Sequence, residues 1–250
     1  MARIPKKIHY CWLSGDPFPE LIQHCIESWR RFLPDYELVL WDTRRINIQS
    51  VPWIREAVEA RKYAFAADYI RLYAVYTEGG IYLDADVEVF KSFDALLDQP
   101  SFIGYETSGD LEPAVFGAEK GCEWIAACLS HYRGRNFVKS DGSRDMTPLP
   151  IVVESKLRDL GLFLPRAPRN TPVHKDGVSF YPAEFFSPKD VHTKAIEATA
   201  ATYSVHHFDG QWVDQTLLHR CKQAIHRGLR VAFGPVAHRR IVELMRRGTK

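Results

Sequence analysis

The chain has 250 residues, 46 % hydrophobic, 12 % aromatic and 26 % charged, with a formal net charge of +2. This content excludes a wholly disordered, collagen-like or coiled-coil chain and is enough to bury a sizeable core. No apolar run approaches the ~20 residues that cross a bilayer, and the start, MARIPKKIHYCW, has no signal-peptide core. Five cysteines at 11, 25, 122, 128 and 221, with no C-x-x-C pair, read as reduced thiols of a cytoplasmic protein.

In chain order, residues 7–13 (KIHYCWL) form a short apolar run suited to a buried strand. Residues 19–33 carry apolar side chains at 21, 22, 25, 26, 29, 32 and 33, the spacing of an amphipathic helix. Residues 37–41 (ELVLW) give a second buried strand. This β-α-β opening predicts an α/β fold with a mostly parallel central sheet flanked by helices. Residues 52–78 predict one long helical region, stopped by Gly79-Gly80. Residues 81–90 (IYLDADVEVF) follow as a strand running into acids, and 101–106 as another. Helices are expected over 122–132 and 148–160, the second with Thr147 as N-cap and Pro148 in its first turn. Residues 178–186 and 202–208 read as late strands, with loops at 140–144 and 165–172. No repeat or Ser/Gly linker divides the chain, which reads as one domain over 1–218 and a basic helical appendage over 219–250.

Three constellations can carry chemistry. Asp84-Ala85-Asp86 stands where an apolar strand, Ile81-Tyr82-Leu83, leaves the sheet. Ligands of open α/β sheets bind beyond the carboxyl ends of strands, and two carboxylates there suit Mn²⁺ or Mg²⁺. Taken alone, Asp-x-Asp equally describes two solvated turn acids; the buried strand before it favours a site, because an uncompensated carboxylate pair would be costly. Asp68 and Arg71, at i and i+3 of an otherwise apolar helix, are an ion pair or a binding pair for hydroxyls and phosphate. In YSVHHFDGQW, His206 and His207 point to opposite faces, so one of them at most enters a given site. Trp12 is either core or a plate for a nucleobase.

These segments resemble the DXD-motif glycosyltransferases of family 32, which include bacterial capsule and surface-polysaccharide enzymes and fungal initiating α-mannosyltransferases. The resemblance rests on Ile4-Pro5-Lys6-Lys7-Ile8-His9 with Trp12, on Ala67-Asp68-Tyr69-Ile70-Arg71, on Gly79-Gly80-Ile81-Tyr82-Leu83-Asp84-Ala85-Asp86, and on His206-His207 with Trp212. It implies a GT-A type fold and retaining transfer of a hexose from a nucleoside-diphosphate sugar to a saccharide or lipid-linked glycan, in surface polysaccharide synthesis. UDP-sugars are the favoured donors and GDP-mannose the alternative. Mn²⁺ or Mg²⁺ is the implied cofactor, with Asp86, Asp84 and His206 as ligands and His207 as the alternative histidine. Asp84, Asp86 and Arg71 would be catalytic; Trp12, Asp68, Arg71, Tyr82, Asp84 and Trp212 would contact substrate. In such a fold the segment after Gly104, with Glu106, Asp110 and Glu112, would line the acceptor and donor-sugar side, although it carries no clear family motif.

A D-x-D phosphohydrolase is disfavoured, since it needs Thr or Val where Glu88 stands. The stretch from His219 to Lys250 holds nine Lys/Arg against one acid, Glu243. Nucleic-acid binding would interleave aromatics with these cations, yet Phe233 is the one aromatic after Trp212. The basic tail is therefore expected either to touch an anionic membrane surface, such as the inner face of the cytoplasmic membrane, or to form a structural helix.

Overall fold

The computed structural model describes residues 2–164, 166–190 and 193–209. Strand β1 (Lys7–Cys11) runs parallel to β2 (Glu37–Trp41), in register from Lys7 with Glu37 to Cys11 with Trp41. The crossover is α1 (Glu20–Phe32), whose buried Ile22, Cys25, Ile26 and Trp29 follow helical spacing. The Trp29 indole donates to the Val87 carbonyl at 2.7 Å, pinning the helix to the strand that follows the Asp-x-Asp turn.

The expected single helix over 52–78 is two. Helix α2 (Pro52–Glu59) ends before Arg61, which is left-handed at φ 54°, and α3 (Tyr63–Glu78) starts afresh. The Trp53 indole donates to the Phe65 carbonyl at 2.8 Å and packs edge-on against Tyr132 and Phe137. This folds α2 back onto α3, a tertiary contact that helical periodicity cannot report.

The stop after α3 is as expected, and its cause is visible. Gly79 and Gly80 have φ of 68° and 114°. A Cβ on Gly80 would lie 2.9 Å from the Lys7 carbonyl and 3.1 Å from His9 Nε2. His9 is fully buried; its Nδ1 accepts from the Trp41 indole at 3.0 Å and its Nε2 donates to the Gly79 carbonyl at 2.8 Å. The chain thus turns at once into β3 (Gly80–Leu83), parallel to β1.

The seven-stranded sheet has the order β2-β1-β3-β6-β5-β8-β7, completed by β5 (Ser101–Tyr105), β6 (Leu111–Ala118), β7 (Val173–Lys175) and β8 (Val178–Tyr181). Parallel pairing joins β2, β1 and β3, and again β5 and β8. Strand β6 enters antiparallel between β3 and β5, and β7 is an antiparallel edge. Alternation along the strands sends Cys11, Tyr82, Ile103 and Phe116 to a core under α2 and α3, with α4 (Glu123–His131) and α5 (Leu149–Asp159) on the same side. Ile8, Ile81, Leu83 and Val115 go to the opposite core, under α1.

Three expected boundaries move. The strand over 81–90 is cut at the acids: Val87 N–H donates to the Asp84 carbonyl at 3.0 Å, and β4 (Val87–Val89) joins a separate two-stranded sheet with β9 (Ser204–His206). The strand from 178 ends at Tyr181 because Pro182 opens a short helix, α6 (Ala183–Phe186). Pro148, not Thr147, is the N-cap of α5, and the Thr147 hydroxyl donates to Asp145 at 2.7 Å instead. Part of the expected loop 165–172 and the whole appendage 219–250 include residues outside those described. The four described cysteines, 11, 25, 122 and 128, are free thiols.

Candidate active site

A cavity of about 910 Å³ opens at the carboxyl ends of β1 and β3, between the loop after β1 and the start of α5. Its volume suits a small-molecule ligand. Asp68, Arg71, Tyr82, Asp84, Asp86 and His206 all line it, and Trp12 stands on its wall. Trp12 is fixed there by its indole, which donates to the Asp16 carbonyl at 2.7 Å, and by edge contact with Phe18. Trp212 lies outside the described residues.

The floor is built around Arg71, which α3 delivers almost fully buried, at 7 % exposure. Its Nη1 donates to Asp84 Oδ2 at 3.1 Å and to the Pro113 carbonyl at 3.0 Å. Its Nη2 lies 3.1 Å from Asp84 Oδ1 and 3.2 Å from Asp68 Oδ1. The guanidinium also stacks over the Tyr82 ring, 4.7 Å from its centroid. Tyr82 itself is 1 % exposed, and its hydroxyl donates to Asp84 Oδ1 at 2.9 Å. Arg71 and Tyr82, both expected at the substrate, line the cavity and also support Asp84.

Asp86 faces the other way, toward β9. His206 Nε2 lies 3.2 Å from Asp86 Oδ1, and the Asp209 N–H donates to Asp86 Oδ2 at 2.9 Å. The pairing of Val87 with His206 brings the histidine to the turn. His207 points away and bonds Glu88 Oε2 at 2.9 Å through Nε2, while its N–H donates to the Asp86 carbonyl at 3.0 Å. Strand alternation left the choice between the two histidines open; the β4–β9 register places His206 at the acids.

Burial and charge set the electrostatics. Burial raises the Asp68 carboxyl to about 6, against the pull of Arg71. Burial also raises Asp84, again opposed by Arg71. For Asp86 the burial penalty is outweighed by His206 and the Asp209 amide, which hold it well below the usual carboxylate range. The His206 imidazole, which burial alone would push down, is raised by Asp86 and Glu112.

Asp84, Asp86 and His206 each offer one donor atom, all within 4.8 Å of one another. Two carboxylates with one imidazole make a donor set that fits Mn²⁺ or Mg²⁺. His206 Nδ1 is buried without a hydrogen bond, which leaves the ring uncommitted on that side. Glu112, on β6, lies 3.6 Å from this nitrogen and also lines the cavity. Glu106, Asp110 and Glu112, expected on the acceptor and donor-sugar side, do line the cavity; the contact of Glu112 with His206 and the role of the Pro113 carbonyl were not foreseen, the available signal being an acid and a proline inside an otherwise apolar run, LEPAVFGA.

Two acids just beyond the end of a sheet strand, a histidine and a buried Asp–Arg pair thus face one cavity. Residues 19–103 match the family described as a glycosyltransferase sugar-binding region containing DXD motif. Inositol phosphoceramide mannosyltransferase 3 of Schizosaccharomyces pombe is 33 % identical over 124 residues, 48 % of this chain and 35 % of that protein. Mannosyl phosphorylinositol ceramide synthase CSH1 of Saccharomyces cerevisiae is 31 % identical over 145 residues, 54 % of this chain and 38 % of its own. Among solved structures, PaToxG Glycosyltransferase aligns with 63 % of this chain and 69 % of its own at 22 % identity and a TM-score of 0.48. The similarity to DXD-containing glycosyltransferases thus centres on residues 19–103, and the chain spans well under half the length of these two curated relatives.

Proposed function

We propose that the protein transfers a hexosyl group, with retention, from a nucleoside-diphosphate sugar to a hydroxyl of a saccharide or lipid-linked glycan. The observation that carries this reading is the convergence of Asp84, Asp86 and His206 at 4.8 Å or less, on the floor of the cavity that Trp12 walls. Bound there, Mn²⁺ or Mg²⁺ would neutralise the departing diphosphate. Arg71 keeps the Asp84 carboxylate fixed in its orientation, and the Asp209 amide does the same for Asp86, so no reorganisation is needed when charge develops. Trp12 offers a face for the base, and Asp68, beside Arg71, offers a carboxylate to sugar hydroxyls.

The mannosyltransferase names of the curated relatives favour mannose, which turns the choice of donor from UDP-hexose toward GDP-mannose. Those names also support an acceptor with a lipid-borne headgroup. Among the described residues no helix is long and apolar enough to cross a membrane; the nine cations after His219 support peripheral contact with an anionic leaflet, on the cytoplasmic side.

The test is release of nucleoside diphosphate from GDP-mannose, UDP-glucose and UDP-galactose, each with Mn²⁺ or EDTA, followed by NMR of the anomeric product. Metal-dependent release from one donor, with the anomeric configuration kept, is expected. Release indifferent to EDTA, or none from any donor, contradicts the reading.

A further inference from the structure

The Asp84–Asp86–His206 group has a neighbour without an assigned task. Glu112 sits on the antiparallel strand β6, with Oε1 3.6 Å from His206 Nδ1, while the other ring nitrogen, Nε2, lies 3.2 Å from Asp86. The imidazole is therefore held between two carboxylates, Asp86 from the turn between β3 and β4 and Glu112 from β6. Its Nδ1 is buried and makes no hydrogen bond at the present distance. Glu112 is itself fixed: its Oε1 accepts from the Ala114 amide at 3.1 Å, and its side chain is 12 % exposed. The next residue, Pro113, takes the Arg71 guanidinium on its carbonyl at 3.0 Å. Two consecutive residues of β6 thus brace both flanks of the Asp-x-Asp turn.

An imidazole gives a cation one nitrogen and must keep its proton on the other, and a carboxylate at the second nitrogen decides which is which. We infer that Glu112 is a positioning residue for metal binding: it accepts the Nδ1 proton of His206 and so commits Nε2 to the cation shared with Asp84 and Asp86. Closing the contact to hydrogen-bond length takes a shift of about half an ångström. This inference rests on the metal reading proposed above. It assigns Glu112 to the histidine; a Glu112 that only bound a substrate hydroxyl would leave metal affinity alone.

The test is an Mn²⁺ titration of the full chain without donor, following free Mn²⁺ by electron paramagnetic resonance. Wild type, Glu112→Gln, His206→Gln, the double variant and Asp86→Ala are compared, with circular dichroism to check folding. Glu112→Gln should weaken Mn²⁺ binding about tenfold or more. The double variant should match His206→Gln alone, since Glu112 acts through that ring. Should Glu112→Gln not fold, Glu112→Asp should show a smaller loss of the same kind. Wild-type affinity in a folded Glu112 variant, or losses that multiply in the double variant, overturns the inference. If Asp86→Ala binds Mn²⁺ like wild type, the metal reading itself falls, and this inference with it.

Discussion

Both terminal nitrogens of Arg71 reach Asp84, each at 3.1 Å, from a helix thirteen residues earlier in the chain. The first acid of the Asp-x-Asp motif is therefore clamped by a two-pronged donor that also takes Asp68 and the Pro113 carbonyl. Lysine cannot reproduce that fork. Arg71→Lys should fold and lose at least about tenfold in kcat/KM, because Asp84 is no longer oriented. Arg71→Ala leaves two buried carboxylates without their cation and should lose about 3–5 kcal/mol in urea unfolding. Near-wild-type kinetics in the lysine variant would remove the clamp from the account.

Asp68 contributes a pH-dependent liability. Its carboxyl is raised from 3.8 to about 6 in the folded protein, so the folded state holds a proton that the unfolded state has lost. Stability from this group is greatest below about pH 4 and declines as pH rises through 6. Asp68→Asn removes the decline. Its stability, without donor, should exceed that of wild type at pH 8, by about 3 kcal/mol at most, and approach it near pH 4. Thermal melts at the two pH values check this; donor KM should rise in the same variant.

Sequence patterning revealed the elements that hold the acids, and it did so for physical reasons. Strands β1 and β2 are short and largely apolar, and the Gly79-Gly80 stop is dictated by a backbone approach that leaves no room for a Cβ. The site was legible where its chemistry is local, as in Asp84, Asp86 and the Asp68–Arg71 pair. What stayed hidden depends on pairing between distant strands. Strand β6 contains Pro113 and Gly117, which weaken a strand signal, yet it pairs with both β3 and β5. Glu112 reaches the site only through that pairing, and the β4–β9 register brings His206, not His207, to the acids.

The two histidines should separate cleanly. His206→Gln removes a donor atom next to Asp86 and should weaken Mn²⁺ binding about tenfold or more. His207→Gln touches Glu88 and Lys189 instead, and should change Mn²⁺ affinity less than threefold, about 0.6 kcal/mol. Equal losses in both variants would contradict the placement.

Gly80→Ala tests the turn that feeds β3. The new Cβ would stand 2.9 Å from the Lys7 carbonyl at a φ of 114°. The variant should lose about 2 kcal/mol or more in chemical denaturation, while Gly121→Ala, whose Cβ meets nothing within 4 Å, should lose less.

The most direct measurement is thermal shift with GDP-mannose or a UDP-hexose, in Mn²⁺ or EDTA, on wild type and Asp86→Ala. One donor at about a hundred times its Kd should add about 2.7 kcal/mol, a rise of at least about 5 °C for a chain of this length. The rise should need Mn²⁺ and vanish in Asp86→Ala. A rise that survives EDTA and the substitution, or no rise with any donor, would contradict the assignment of this site to a metal-bound sugar nucleotide.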